Sequence, residues 1–208
     1  MVVREENLYF VKRKSQNKRS VAKKLVIFAS GSGSNAVKIY EHFKNRQDIK
    51  IDSLFCNKPL ASVIDEFKKR KIKVNLIKKT DFESNKVLSL LKNSQPSLIV
   101  LAGFLMKMPA NIIEKFEKKI INIHPALLPK YGGKGMYGMH IHKKVIDNKE
   151  AESGLTIHYV NEEYDKGQII FQKKVKVNLD DSPELLAKKI LIQEHLYYPK
   201  IIEEILKK

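Results

Sequence analysis

The stretch KLVIFASGSGSNAVKIYEHFKN, Lys24–Asn45, contains the junction that decides the fold. Leu25–Ala29 is a compact apolar run that reads as a strand, and from Ser34 onward the apolar residues recur at helical spacing. Between the two lie Gly31, Ser32, Gly33, Ser34 and Asn35. In a turn from strand to helix, such small residues let backbone N–H groups approach an anion at the positive end of the helix dipole. The spacing is not a P-loop, which needs Gly-Lys-Ser/Thr, nor the full dinucleotide fingerprint, which needs a third glycine. No cationic side chain lies in the turn, so a monophosphate suits it better than a triphosphate. Two assignments remain open, a phosphate cradle and a tight Gly-rich turn capped by Ser or Asn.

The same alternation continues outward. IKIDSLFC (Ile49–Cys56), IKVNLI (Ile72–Ile77), PSLIVLAGF (Pro96–Phe104) and IINIH (Ile120–His124) read as strands. Helical patterns follow at Ala61–Lys71, Phe82–Asn93 and Pro109–Lys119, the last with Pro109 at a plausible first helical position. Short apolar strands alternating with helices imply βαβ units. The expected fold is therefore α/β, three-layered and Rossmann-like, with a predominantly parallel twisted sheet and helices on both faces. Beyond Pro125 the rhythm changes to a long loop with four glycines, then a short helix near Ile141–Asn148. Two strands, in Gly154–Val160 and Gly167–Val177, precede a terminal helix begun by Ser182 as N-cap and Pro183. A long loop inside a compact domain usually carries function, which focuses attention on residues 122–165. Residues 1–22 are expected to be a basic flexible tail, and 23–208 a single domain.

The formal net charge of +17 raises the question of a polyanionic partner. Only five of the 40 basic residues are Arg, leaving 35 Lys, and Arg is the residue suited to bidentate phosphate and base contacts. The lysines are spread through nearly every segment, so solvated faces are the main expectation, with a basic surface for an anionic small substrate as the other. No nucleic-acid partner and no membrane partner is expected, and no apolar run approaches the ~18 residues that span a bilayer. The first twenty residues lack an apolar core and a small-residue cleavage site, so they do not read as a secretory signal. The lone Cys56 rules out an internal disulfide framework and fits a reducing compartment, with the cytoplasm as the expected location.

INIHPALLP, Ile121–Pro129, carries the sharpest chemical signal. Asn122 and His124 are two apart in a strand and point the same way. They leave together at the carboxyl end of a central strand, which is where open parallel sheets bind ligands. A carboxamide donor beside an imidazole suits a developing oxyanion, although the same pair is also a common satisfied polar pair in a core. Asp165, in the turn NEEYDKGQ, could raise the basicity of His124 and relay a proton, or be a solvated acidic turn residue. His140, His142 and His158 alternate with apolar neighbours and lack any metal-ligand spacing, so no metal is expected. His42 and His195 read as ordinary helix positions, and Cys56 as a buried inert thiol.

Four separated stretches, ASGSGSN (Ala29–Asn35), VLAGF (Val100–Phe104), NIHPALLPKY (Asn122–Tyr131) and IHYVNEEYDKGQII (Ile157–Ile170), follow one order and spacing. In this the chain resembles the folate-dependent formyltransferases, and the short domain and Gly-Ser-Asn turn point to the branch acting on glycinamide ribonucleotide. The resemblance implies formyl transfer from 10-formyltetrahydrofolate, as cosubstrate, to that ribonucleotide's amine in de novo purine (IMP) synthesis. It implies that Asn122 and His124 polarise the formyl oxygen while Asp165 keeps the histidine charged and moves protons through water. By the same resemblance Gly33, Ser34 and Asn35 hold the phosphate and Glu194 contacts the nucleotide. The pterin is held by Asn122 and by Leu105, Met106, Lys107 and Met108, the last four through their backbone. The implied partners are these two small molecules alone, and no oligomeric state is implied.

Two departures mark this chain. Asn85 or Lys86 stands where the family often has an arginine beside the folate, and GGKGMYGM (Gly132–Met139) is inserted before His140. Methionyl-tRNA formyltransferases usually carry an added C-terminal β-barrel and formyltetrahydrofolate hydrolases an N-terminal regulatory domain, and neither is expected here. A basic nucleic-acid-binding module on the same fold would instead show steeply salt-dependent binding.

Overall fold

From its first strand the chain lays down β1 (Lys23–Ala29), α1 (Ser34–Phe43), β2 (Ile49–Cys56), α2 (Val63–Lys69) and β3 (Lys73–Leu76). There follow α3 (Lys79–Glu83), α4 (Lys86–Ser94), β4 (Leu98–Leu101), α5 (Ala110–Lys115) and β5 (Ile120–His124). The last elements are α6 (Met139–Asp147), β6 (Glu152–Tyr159), β7 (Ile169–Lys176) and α7 (Pro183–Lys207). This is a computed structural model, and it describes residues 21–207. The tail expected over residues 1–22 therefore lies almost wholly outside the described residues.

The seven strands form one sheet in the order β3-β2-β1-β4-β5-β6-β7. The first five are mutually parallel, and β6 and β7 extend the sheet antiparallel. Strand order runs outward from β1 in one direction through β3, then resumes on its other side with β4. The carboxyl ends of β1 and β4 thus flank the topological switch point, where a crevice opens in such sheets.

Layering follows from the alternation of side chains along the strands. Leu25, Ile27 and Ala29 of β1 join a core cluster with Ile39 of α1, Phe67 of α2, Val145 of α6 and Ile190 of α7. Val26 and Phe28 face the opposite cluster, with Phe82, Val87, Leu91 and Ile112 from α3, α4 and α5. Leu25 to Ala29 are fully buried, which is why β1 reads as a continuous apolar run instead of an alternating one.

The structure corrects several sequence-based boundaries. The helix expected over Phe82–Asn93 is broken into α3 and α4, because Asn85 adopts a left-handed conformation at φ 59°. Asn tolerates that region better than most residues. Pro109 is the extended N-cap of α5 and not its first helical residue. The run Pro96–Phe104 contributes only four residues, β4, to the sheet. At the start of α7 the Leu185 N–H donates to Ser182 Oγ at 3.2 Å, the cap the sequence pattern anticipates. Further along α7, the buried Tyr198 hydroxyl donates to the Leu101 carbonyl at 3.0 Å, tying this helix to the end of β4.

Candidate active site

A cavity of about 670 Å³ opens at the carboxyl ends of β1, β4 and β5, within the size range of small-molecule sites. Its β1 side is organised by Ser30, whose N–H donates to the Gly103 carbonyl at 3.1 Å. The Ser30 hydroxyl donates to Asn57 Oδ1 at 2.6 Å and accepts the Leu105 N–H at 3.0 Å. One small polar residue thus joins the end of β1 to the segment that leaves β4.

Gly33 begins α1 at φ 70°, and a Cβ there would stand 2.1 Å from Val63 Cγ2. Only glycine meets both conditions. The first helical bond runs from the Val37 N–H to the Gly33 carbonyl at 2.8 Å, which leaves the N–H groups of Ser34, Asn35 and Ala36 without helical acceptors. Ser32 and Asn35 form part of the cavity wall, while Gly33 and Ser34 lie between them outside it. Asn35 Nδ2 donates to Glu194 Oε2 at 2.6 Å, and Asn35 Oδ1 is buried without a partner among the described residues. Burial pushes the Glu194 carboxyl up to about 7, against the opposing pull of the Asn35 donor.

The opposite side is built by the antiparallel extension. Register places His158 of β6 across from Asn122 of β5, and Thr156 across from His124. Asn122 Nδ2 and His158 Nε2 are 3.2 Å apart. His158 Nδ1 lies 2.8 Å from the Tyr159 carbonyl, which can only accept, so the proton is on Nδ1 and Nε2 accepts from Asn122. That bond uses one of the two Asn122 N–H donors and fixes the carboxamide plane, leaving the second N–H without an acceptor among the described residues. Burial pushes the His158 imidazole pKa down, in keeping with a neutral ring.

His124 is held in a comparable way. Its Nε2 donates to the Tyr131 carbonyl at 2.8 Å, and its Nδ1 faces Asp165 Oδ2 at 3.6 Å, too long for a direct hydrogen bond. Tyr131 itself is left-handed at φ 57°, and its hydroxyl is anchored to Glu150 at 2.9 Å. Behind it, the Thr156 hydroxyl donates to the Ala126 carbonyl and accepts the Leu128 N–H, pinning the loop after β5 onto β6. Asp165 stands between the two imidazoles, with Oδ1 3.7 Å from His158 Nε2 and Oδ2 accepting the Gly133 N–H at 2.9 Å.

Asn122, His124 and Asp165 therefore meet in one cluster, and Glu194 joins them in the cavity wall from α7. Leu105, Met106, Lys107 and Met108 line the cavity on the β4 side. Sequence reasoning missed His158, grouped there with the weaker histidines. Only the antiparallel register with β5 reveals it, and no spacing in the chain encodes that register. Of the others, His140 is exposed at the start of α6 and His142 is buried on its inner face. Cys56 is buried, and burial pushes its thiol pKa up. Among the described residues no group of three or more His, Cys, Asp or Glu side chains is placed to hold a metal ion, and no helix is long and apolar enough to cross a membrane.

The model of the formyl transferase family matches residues 23–202. A chloroplastic phosphoribosylglycinamide formyltransferase of Arabidopsis thaliana is 39% identical over 189 residues, covering 86% of this chain and 64% of the relative. Its counterpart from Vigna unguiculata is 38% identical, covering 87% of this chain and 60% of the relative. The chain thus spans less than two thirds of the length of these two relatives. Among solved structures, a phosphoribosylglycinamide formyltransferase of Bacillus halodurans superposes with a TM-score of 0.81 at 34% identity, covering 89% of this chain and 96% of that one. With the family pattern running through nearly the whole of the described sheet and its site, the chain belongs to the formyl transferase family.

Proposed function

We propose that the chain catalyses transfer of the formyl group of 10-formyltetrahydrofolate to the primary amine of glycinamide ribonucleotide, a step of purine synthesis carried out in the cytoplasm. The observation that carries this is the convergence of the Asn122–His124–Asp165 cluster and the glycine turn after β1 on a single cavity. A phosphate-bearing acceptor fits at the turn, with the first-turn N–H groups of α1 as donors and Glu194 beside the nucleotide. The donor's pterin lies along the backbone of Leu105–Met108.

As the amine nitrogen attacks the formyl carbon, the formyl oxygen takes on negative charge. The second N–H of Asn122, held in place by His158, donates to that oxygen. The Nε2 proton of His124 is committed to the Tyr131 carbonyl, so His124 donates to the formyl oxygen from Nδ1 in its protonated form. Asp165 faces the positive charge this places on the ring. Asp165 then accepts the proton leaving the amine, through water, and returns it to the folate nitrogen as the old C–N bond breaks. An oxyanion donor of this kind is worth roughly 10²–10³ in rate.

Purified protein mixed with 10-formyltetrahydrofolate, followed by absorbance with and without glycinamide ribonucleotide, tests the assignment. Deformylation only when the ribonucleotide is present is the expected result. Equal deformylation without an acceptor would make the chain a hydrolase, and no turnover from folded protein would remove the assignment.

A further inference from the structure

A phosphate monoester brings about two negative charges at neutral pH, and the turn after β1 has no cationic side chain to meet them. Among the described residues only two lysines and no arginine line the cavity, Lys107 and Lys134. Lys107 belongs to the segment leaving β4, with its ammonium 5.9 Å from the centre of the Tyr164 ring. Lys134 lies in the Gly-rich insertion and makes no hydrogen bond or ion pair with any described residue.

The path of that insertion is set by its glycines. Gly133, Gly135 and Gly138 have φ of 98°, 85° and 55°, and a Cβ at any of them would meet nothing within 4 Å. Glycine is therefore needed for backbone conformation and not for close packing. The Gly133 N–H is fixed to Asp165, and Gly138 caps α6. Between them Met136 packs against the core layer that includes α1 and α7. Phe104 and Met108 belong to the opposite layer. The insertion thus links the catalytic cluster, at Gly133, to the layer that carries Asn35 and Glu194, at Met136.

We infer that Lys134 is the cation that meets the ribonucleotide phosphate, supplied by the insertion in place of a basic residue in the β1 turn. This rests on the acceptor proposed above. A charge-assisted contact between an ammonium and a phosphate is among the stronger hydrogen bonds a site can make.

The test compares Lys134→Gln and Lys134→Arg with the unaltered chain, using glycinamide ribonucleotide and the corresponding ribonucleoside without phosphate. Lys134→Gln should raise KM for the ribonucleotide by about tenfold or more, with the loss falling on that KM and not on the folate KM. Lys134→Arg should recover most of it, and the variant and unaltered chains should differ little on the ribonucleoside. An unchanged ribonucleotide KM would overturn the inference, as would an equal loss on the ribonucleoside. Calorimetric titration with the ribonucleotide separates this from the functional assignment. Weaker binding by Lys134→Gln, with no turnover by the unaltered chain, would keep the phosphate contact and overturn the formyl transfer.

Discussion

At the β1 end of the cavity the unpaired polar groups are largely main-chain ones, the first-turn N–H groups of α1 behind Ser32 and Asn35. At the β5–β6 end the polar groups that face the cavity are side chains, Asn122, His124, His158 and Asp165, each held in place by a neighbour through a hydrogen bond. The two ends respond to change in different ways. A site made of backbone depends on the path of the chain, so altering it alters the fold. A site made of side chains can lose its chemistry while the scaffold stands.

The largest effect should come from the side-chain end. Asp165 adopts φ 57°, a region that Asn tolerates well, and an Asn there can still accept the Gly133 N–H. Asp165→Asn should thus lower kcat by roughly 10²–10⁴-fold while leaving the thermal midpoint close to that of the unaltered chain. A large drop in the midpoint would show that this end, too, holds the fold together.

Gly33→Ala should do the reverse. The left-handed φ alone costs about 1–2 kcal/mol, and the displaced Val63 adds to it. Urea unfolding should show the loss, together with weaker ribonucleotide binding. A second substitution, Val63→Ala, should recover only part of the packing loss, and the backbone part should remain. It removes the methyl 2.1 Å from the new Cβ but leaves the Cβ of residue 63 at 2.5 Å. If Gly33→Ala were as stable as the unaltered chain, the contrast between the two ends would fail.

Glu194 sharpens the comparison, because it is a side chain at the backbone end. Its folded pKa of about 7 is above the ordinary value of 4.5, so the folded state holds this proton more tightly than the unfolded chain does. Its contribution to stability is therefore complete below pH 4.5 and is lost as pH rises toward 7, by up to about 3 kcal/mol. Glu194→Gln should flatten that part of the stability curve, measured by denaturant midpoints across pH. Glu203 makes the opposite case. It is held by Lys207, Arg46 and His42, its pKa falls to about 2, and its stabilisation is lost only as pH drops below the usual carboxylate range. An unchanged slope in Glu194→Gln would mean that the carboxyl is solvated in the free protein.

Much of this molecule is legible in local pattern. The apolar run Leu25–Ala29 followed by glycine turn and helical spacing marks a βα unit, and repetition of that unit implies a doubly wound sheet. The Asn-x-His spacing places two polar side chains on one face of a strand end through the two-residue period alone. The boundary misses are as instructive. Ser84–Asn85 interrupts an otherwise helical run because one residue turns left-handed, and nothing in the apolar spacing there reports a single backbone angle. β4 is short because the chain turns away after Ala102, whose N–H still donates to the Phe28 carbonyl. Gly103 and Leu105 then meet Ser30, a contact made across more than seventy positions of sequence.

By itself, then, the chain determines its strands and helices, the parallel core, the glycine turn and the pairing of Asn122 with His124, since all of these follow from periods and neighbours within a few residues. Tertiary structure alone decides that His158 stands across from Asn122, that Asp165 sits between two imidazoles, that Glu194 is buried against Asn35, and that the insertion carries Lys134 to the cavity wall. The physical reason is common to all four. Each depends on a register or a backbone turn that brings distant segments together, and such placement follows from the packing of the whole sheet and its layers.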